Sequence, residues 1–128
     1  MFTADQLLAH LVGDFVLQSD WMAKEKSKNT LAMLAHVGCY ILPFLLLTTN
    51  FSTLAVIAGT HFVIDRFRLA RYVVWVRNLP WPGSKPWSEC RETGFTPALP
   101  VHLSAWLLII VDNTMHILIN GAAITYLG

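Results

Sequence analysis

Charge is scarce in this chain of 128 residues, since Asp, Glu, Lys and Arg together make up only 13% of it and hydrophobic residues 55%. Soluble domains carry about 25% charged residues, so the composition excludes an ordinary water-soluble domain and predicts an integral membrane protein. Cysteine is scarce too, and the two thiols, Cys39 and Cys90, provide no disulfide framework. The basic residues lie beside tryptophans and apolar segments, which argues against nucleic-acid binding. We expect a single membrane domain over residues 1–128.

Four apolar helical segments are predicted, at residues 4–24, 30–49, 51–76 and 101–127. About 20 apolar residues cross the hydrocarbon core of a bilayer, and the second and fourth segments reach that length. The sequence therefore predicts an all-α fold, a four-helix transmembrane bundle. The segment 78–100, rich in Pro and Trp, is predicted to be a cytoplasmic interfacial loop between the third and fourth helices. A bundle this small is also compatible with a homo-oligomer.

The basic residues indicate an orientation. All nine lie in two regions, after the first segment and after the third: Lys24, Lys26, Lys28, Arg66, Arg68, Arg71, Arg77, Lys85 and Arg91. The connection between the second and third segments, residues 48–53, carries no charge. The positive-inside rule then places both basic regions in the cytoplasm and both termini outside.

Polar residues inside the apolar segments recur in pairs. Three pairs have a spacing of four: His10 with Asp14, His61 with Asp65, and Asp112 with His116. This spacing puts both side chains on one face of a helix. His36 adds an imidazole from the second segment. At a rise of about 1.5 Å per residue, all seven side chains fall within a slab about 12 Å deep.

Carboxylates and imidazoles in hydrocarbon need a compensating charge, and a metal ion can provide it. We predict one or two divalent ions, zinc or manganese, held by His10, Asp14, His36, His61, Asp65, Asp112 and His116. Cys39, three residues after His36, is either a further ligand or a packing residue. The alternative to a metal is that the His and Asp side chains bond one another and only hold the helices together.

Other polar residues extend the predicted site toward the cytoplasm. Gln18 continues the stripe of His10 and Asp14, and with Asp14 it is a candidate catalytic residue. Three cations near the same end are candidates for binding an anionic headgroup or phosphate: Lys24, Arg66 and Arg68. Cations that merely reach the headgroup region would have the same pattern.

The run from His10 to Lys24, HLVGDFVLQSDWMAK, resembles the opening signature of small bacterial and phage membrane proteins catalogued as domain of unknown function 3307. Later residues fit the same pattern: His36 with Tyr40, His61 with Asp65 and Arg66, and Asp112 with His116. The resemblance covers essentially the whole chain and implies a compact multispan protein of the bacterial inner membrane, of host or phage origin. More loosely, the chain is similar to predicted membrane-bound metal-dependent hydrolases.

The leading hypothesis is a metal-dependent hydrolase that acts on a lipid-linked phosphoester or a related amphipathic substrate. The ion would activate water as the nucleophile, and Asp14 would take its proton. Two other classes fit the same residues. One is a transporter or channel that passes a metal ion or protons, and the other is a phage-type membrane interaction protein with a structural metal site.

Overall fold

The computed structural model describes residues 2–128, and its regular structure is entirely helical over that range. Its α-helices are α1 (Ala4–Leu11), α2 (Asp20–Glu25), α3 (Thr30–Ile41), α4 (Phe51–Arg66), α5 (Ala70–Asn78), α6 (Trp87–Cys90) and α7 (Val101–Leu127). α1 continues into a π-helical segment, Val12–Val16, and α3 continues into a 3₁₀ segment, Leu42–Leu46. The predicted all-α fold is confirmed.

Helix starts follow from side chains that accept hydrogen bonds from otherwise unpaired backbone N–H groups. Thr3 caps α1, Ser19 caps α2, Asn29 caps α3 and Asn50 caps α4. The first predicted helix, 4–24, is therefore wrong as one continuous element. Its π-helical end stops at Val16, and Ser19 starts a new helix instead of continuing the old one.

Two further predicted helices are interrupted, and the fourth is not. The segment predicted at 51–76 breaks into α4 and α5, and between them Arg68 has a φ of 53°, in the left-handed region that ends a helix. In the segment predicted at 30–49, Pro43 lies at the start of the 3₁₀ turn, where it lacks the N–H that an α-helix would need. The fourth segment, 101–127, matches α7.

The described chain divides into two compact units, of which the first comprises residues 2–67 and 116–128. In this unit α3 packs against α2, α4 and the π-helical segment. Its buried apolar cluster consists of Ala9, Tyr40, Phe44, Ile57 and Ala123. Helices from both ends of the chain therefore share one core.

The second unit comprises residues 68–115 and includes α5, α6 and the first half of α7. The ring of Trp87 stacks on Tyr72 with centroids 4.5 Å apart, and the Arg71 guanidinium lies 5.4 Å from the Trp87 ring centre. Trp75 donates a 2.9 Å hydrogen bond to the carbonyl of Lys85. The predicted interfacial loop is thus packed onto α5 by its aromatic residues.

One helix among the described residues is long and apolar enough to cross a membrane. This helix, α7, has 27 residues, and most of its apolar part is not buried inside the protein. The helical stretch Thr30–Leu46 is apolar but shorter. The four-span bundle and the single membrane domain therefore stay predictions.

Candidate metal centre

Four buried ligand atoms converge inside the first unit. Asp14, His36, His61 and Asp65 each offer one ligand atom, and these atoms lie within 4.8 Å of one another. The shortest contacts among them join Asp14 Oδ1, His36 Nε2, His61 Nε2 and Asp65 Oδ2. Asp14 comes from the π-helical segment, His36 from α3, and the other two from α4. Single π-helical turns inside α-helices are frequent at functional sites, because the wider turn changes where a side chain points.

The spacing of these atoms is that of a metal coordination shell. A tetrahedral ion with ligands at about 2.0–2.1 Å separates neighbouring ligand atoms by about 3.3 Å. His36 Nε2 lies 2.9 Å from His61 Nε2, 3.2 Å from Asp14 Oδ1 and 3.5 Å from Asp65 Oδ2. His61 Nε2 lies 3.8 Å from Asp14 Oδ1 and 3.4 Å from Asp65 Oδ2. The cluster therefore has the dimensions and the ligand types to hold a metal ion.

Part of the cluster is not satisfied by the protein itself. Asp14 Oδ1 is buried and forms no hydrogen bond, and the same is true of the Nδ1 atoms of His36 and His61. Buried polar atoms in native proteins nearly always have a partner, so each exception needs an explanation. For Asp14 Oδ1, which faces two Nε2 atoms, a bound ion or a water molecule beside it would supply the missing partner.

A lysine side chain already contacts the cluster. Lys26, which directly follows α2, places Nζ 2.5 Å from Asp65 Oδ2 and 3.7 Å from Asp14 Oδ1. The same Nζ lies 3.5 Å from His36 Nε2. The Lys26 side chain is 20% exposed, whereas those of Asp14 and Asp65 are 5% and 2% exposed. Of these three side chains, that of Lys26 is therefore the one partly exposed to solvent.

Two more predicted ligands, His10 and His116, contact the outer oxygens of the two carboxylates. His116 Nε2 lies 2.8 Å from Asp65 Oδ1, and His10 Nε2 lies 3.8 Å from Asp14 Oδ2. The other ring nitrogen of His10, Nδ1, is 2.8 Å from the hydroxyl of Tyr40. His116 is within hydrogen-bond distance of its carboxylate, as partners behind metal ligands commonly are, whereas His10 is at ion-pair distance from Asp14.

Tyr40 contacts His61 of the cluster and two residues around it, His10 and Asn120. Its hydroxyl accepts a 2.7 Å hydrogen bond from Asn120 Nδ2, and its ring stacks on His61 with centroids 3.7 Å apart and planes 16° apart. The residue is fully buried. Tyr40 was named with His36 in the sequence pattern, and its spacing of four from His36 puts it on the ligand face of α3.

The predicted substrate-binding role of Lys24, Arg66 and Arg68 stays a prediction. Arg66 donates a 2.6 Å hydrogen bond to the carbonyl of Ser27, and Arg68, in the second unit, donates to the carbonyl of Glu92. Lys24 is exposed. Lys26 contacts the cluster instead, and nothing in the sequence distinguishes it from the other two lysines of the same basic region.

Two other predicted site residues lie outside the four-atom cluster. Gln18 follows the π-helical segment, and its side-chain oxygen is buried without a hydrogen bond. Asp112 belongs to the second unit, so its predicted part in the site stays a prediction.

The cysteines are both free. Cys39 is half-buried on α3 and is not one of the four clustered residues. Burial, together with the neighbouring Glu89, raises the pKa of the Cys90 thiol. Cys90 is therefore protonated at neutral pH and is not a reactive thiolate.

Comparison with known protein families gives a match over nearly the full length. The family model described as Protein of unknown function (DUF3307) matches residues 2–127. No curated protein and no solved structure matches the chain. The looser similarity to membrane-bound metal-dependent hydrolases and the phage origin gain no support from these comparisons. The chain belongs to the DUF3307 family, proteins of unknown function.

Proposed function

We propose that this protein is a membrane-embedded metal-binding protein that hydrolyses a lipid-linked phosphoester or a related amphipathic ester. The observation that carries the proposal is the set of four buried ligand atoms with the spacing of a coordination shell. A mixed set of imidazole and carboxylate ligands suits zinc or manganese. One ion fits these four atoms, and the second predicted ion stays a prediction.

In this proposal three of the four clustered residues are metal ligands and the fourth is a general base. His36, His61 and Asp65 would hold the ion, since three protein ligands leave a fourth position for water, as in catalytic zinc sites. Asp14 Oδ1, buried without a hydrogen bond, would then take a proton from that water. The water oxygen forms a bond to phosphorus while the bond from phosphorus to the lipid oxygen breaks, and the departing alkoxide takes a proton from solvent.

The outer surface of the first unit supports a membrane location. Large apolar side chains point away from the core, with Leu46 89% exposed, Phe51 83% exposed and Leu31 67% exposed. Each such side chain loses favourable free energy in water, about 25 cal/mol per Å² of apolar surface. We propose the bacterial inner membrane, with the termini outside and the basic regions in the cytoplasm, where Lys26 faces the headgroups.

A structural metal site is the second candidate, because one observation favours it. All four clustered residues are buried, and if all four coordinate the ion no position remains for water. The ion would then only clamp the helices, as in the interaction protein considered from the sequence.

Elemental analysis of the purified protein in detergent micelles tests the metal centre. We expect about one zinc or manganese per chain in the wild type and little in His61→Ala, since His61 supplies a buried ligand atom. His102→Ala is the matched control, because His102 is exposed on α7 and should leave the metal content unchanged. A wild-type protein without bound metal would overturn the proposal.

A hydrolysis assay on vesicles that contain lipid phosphodiesters distinguishes the hydrolase from the structural metal site. Metal-loaded wild type should release the headgroup from a lipid phosphodiester, and His61→Ala should not. Stoichiometric metal without any hydrolysis of anionic or zwitterionic lipid phosphodiesters would leave the structural clamp as the function.

A further inference from the structure

The Lys26 ammonium occupies part of the space that a metal ion needs. Its Nζ lies 2.5 Å from Asp65 Oδ2, one of the four clustered atoms. A metal ion bound to the same oxygen would lie about 2.0–2.2 Å from it. Ion and ammonium would then be at most about 4.7 Å apart, in a site where the surrounding side chains are almost fully buried.

Two cations at that distance repel each other strongly, because a buried pair is poorly screened by water. Without a metal, however, the ammonium helps to compensate the two carboxylates, together with the imidazoles of His36 and His116. It also lies 3.7 Å from Asp14 Oδ1, so Lys26 is shared between both acids. An uncompensated pair of buried carboxylates would be costly.

The backbone around Lys26 is held independently of its side chain. The turn that follows α2 is held by Arg66, which donates to the carbonyls of Ser27 and Lys28 at 2.6 and 3.4 Å. These bonds fix the backbone of the turn, whereas the Lys26 side chain is 20% exposed and has solvent beside it. Rotation of the side chain alone would move Nζ from Asp65 to water.

We propose that Lys26 is a counter-cation of the centre when no metal is bound, that a divalent ion displaces it, and that this exchange sets the metal affinity. The inference rests on the proposed metal centre. It assigns to Lys26 a role different from binding substrate, and it makes metal uptake a replacement of one cation by another.

The test uses zinc alone as the probe. Full-length wild type and variants, stripped with a chelator in micelles, are titrated with zinc against a competing indicator dye. We expect Lys26→Met to bind zinc at least about tenfold more tightly than the wild type, because no ammonium has to be displaced. Lys28→Met is the matched control, since its side chain is exposed and only its backbone carbonyl meets Arg66.

Lys26→Gln is a second test variant, for use if Lys26→Met does not fold. Its amide can still donate a hydrogen bond to Asp65 but carries no charge, so it should also bind zinc more tightly than the wild type. In stripped protein, Lys26→Met should unfold at a lower temperature than the wild type, and zinc should restore its stability.

The outcomes separate this inference from the proposed function. If the wild type binds zinc and both Lys26 variants bind it no more tightly, the exchange is refuted and the metal centre stands. If neither the wild type nor any variant binds zinc, the metal centre itself is refuted and the exchange with it.

Discussion

At the residue scale, each carboxylate of the centre contacts partners on both sides. Asp65 Oδ2 is one of the four clustered ligand atoms, and Asp65 Oδ1 lies 2.8 Å from His116 Nε2. Asp14 directs Oδ1 toward the cluster and has Oδ2 3.8 Å from His10. An imidazole behind a carboxylate fixes the direction in which the carboxylate faces, and mutation of such partners typically weakens metal binding by about 10–100-fold.

The hydroxyl of Tyr40 is the residue-scale feature whose removal is most readily measured. We expect Tyr40→Phe to lower the free energy of unfolding by about 1–3 kcal/mol, because it leaves polar atoms of two buried residues without this partner. These atoms are His10 Nδ1 and Asn120 Nδ2. Unfolding in mixed micelles, followed by circular dichroism, measures the change.

Tyr126→Phe is the control for this variant. Tyr126 is 73% exposed, and an exposed substitution of this kind should change stability by no more than about 0.5 kcal/mol. Equal stability of Tyr40→Phe and wild type would show that the hydroxyl contributes nothing to the fold.

At the element scale, the π-helical segment and α3 approach each other closely at Gly13. A Cβ at this position would lie 2.7 Å from the carbonyl oxygen of Tyr40 and 2.9 Å from Tyr40 Cδ2. The carbonyl oxygen belongs to a helix backbone and cannot move aside alone. Since Asp14 follows Gly13 directly, the distance between these two helices also sets the position of one carboxylate of the centre.

Gly13→Ala should therefore push the two helices apart. We expect it to lower the free energy of unfolding by about 1–3 kcal/mol, as overpacking usually does, and to weaken zinc binding as well. Thermal unfolding with and without zinc measures both effects.

Gly59→Ala provides the matched comparison. Gly59 lies in α4, and a Cβ there has no atom within 4 Å. Alanine favours the helix over glycine by up to about 1 kcal/mol, so this variant should be neutral or more stable. If both alanine variants behaved alike, the close approach at Gly13 would not be the cause.

Helix ends show what can be anticipated from the sequence and what cannot. The start of α2 was missed because apolar residues continue through Leu17, although Ser19 is a typical cap. The break after Arg66 was missed because Phe67 and Leu69 are apolar, and the left-handed Arg68 gives no sequence signal. Hydrophobic continuity predicts burial or lipid contact better than it predicts an uninterrupted helix.

At the scale of the whole molecule, the proposed membrane topology can be tested directly. Length and composition mark α7 as a candidate span, and the four-span topology is a proposal. In that topology the connection containing Thr49 lies outside and the segment containing Ser88 lies in the cytoplasm. Both residues are exposed in the structure, which makes them suitable labelling sites.

Single-cysteine labelling of intact cells tests this topology. With Cys39 and Cys90 replaced by alanine, we expect an impermeant maleimide to label Thr49→Cys in intact cells and Ser88→Cys only after the membrane is opened. The reverse pattern would invert the topology. Labelling of both positions in intact cells would rule out the four-span arrangement.

The sequence by itself determined the helical class, the apolar character and four of the residues that meet in the centre. It could do so because helical spacing fixes which side chains share a face: His61 with Asp65, for example, needs no knowledge of the rest of the fold. His36 was predicted to be a ligand because it lies at the same depth in a neighbouring helical segment.

The tertiary structure decided which of the polar residues face one another. Only the packing of α1, α3, α4 and the end of α7 shows that His10 and His116 lie behind the carboxylates. Only the turn fixed by Arg66 brings Lys26, rather than Lys24, to Asp65. Contacts between distant parts of the chain depend on how helices end and approach, and no local pattern of residues contains that information.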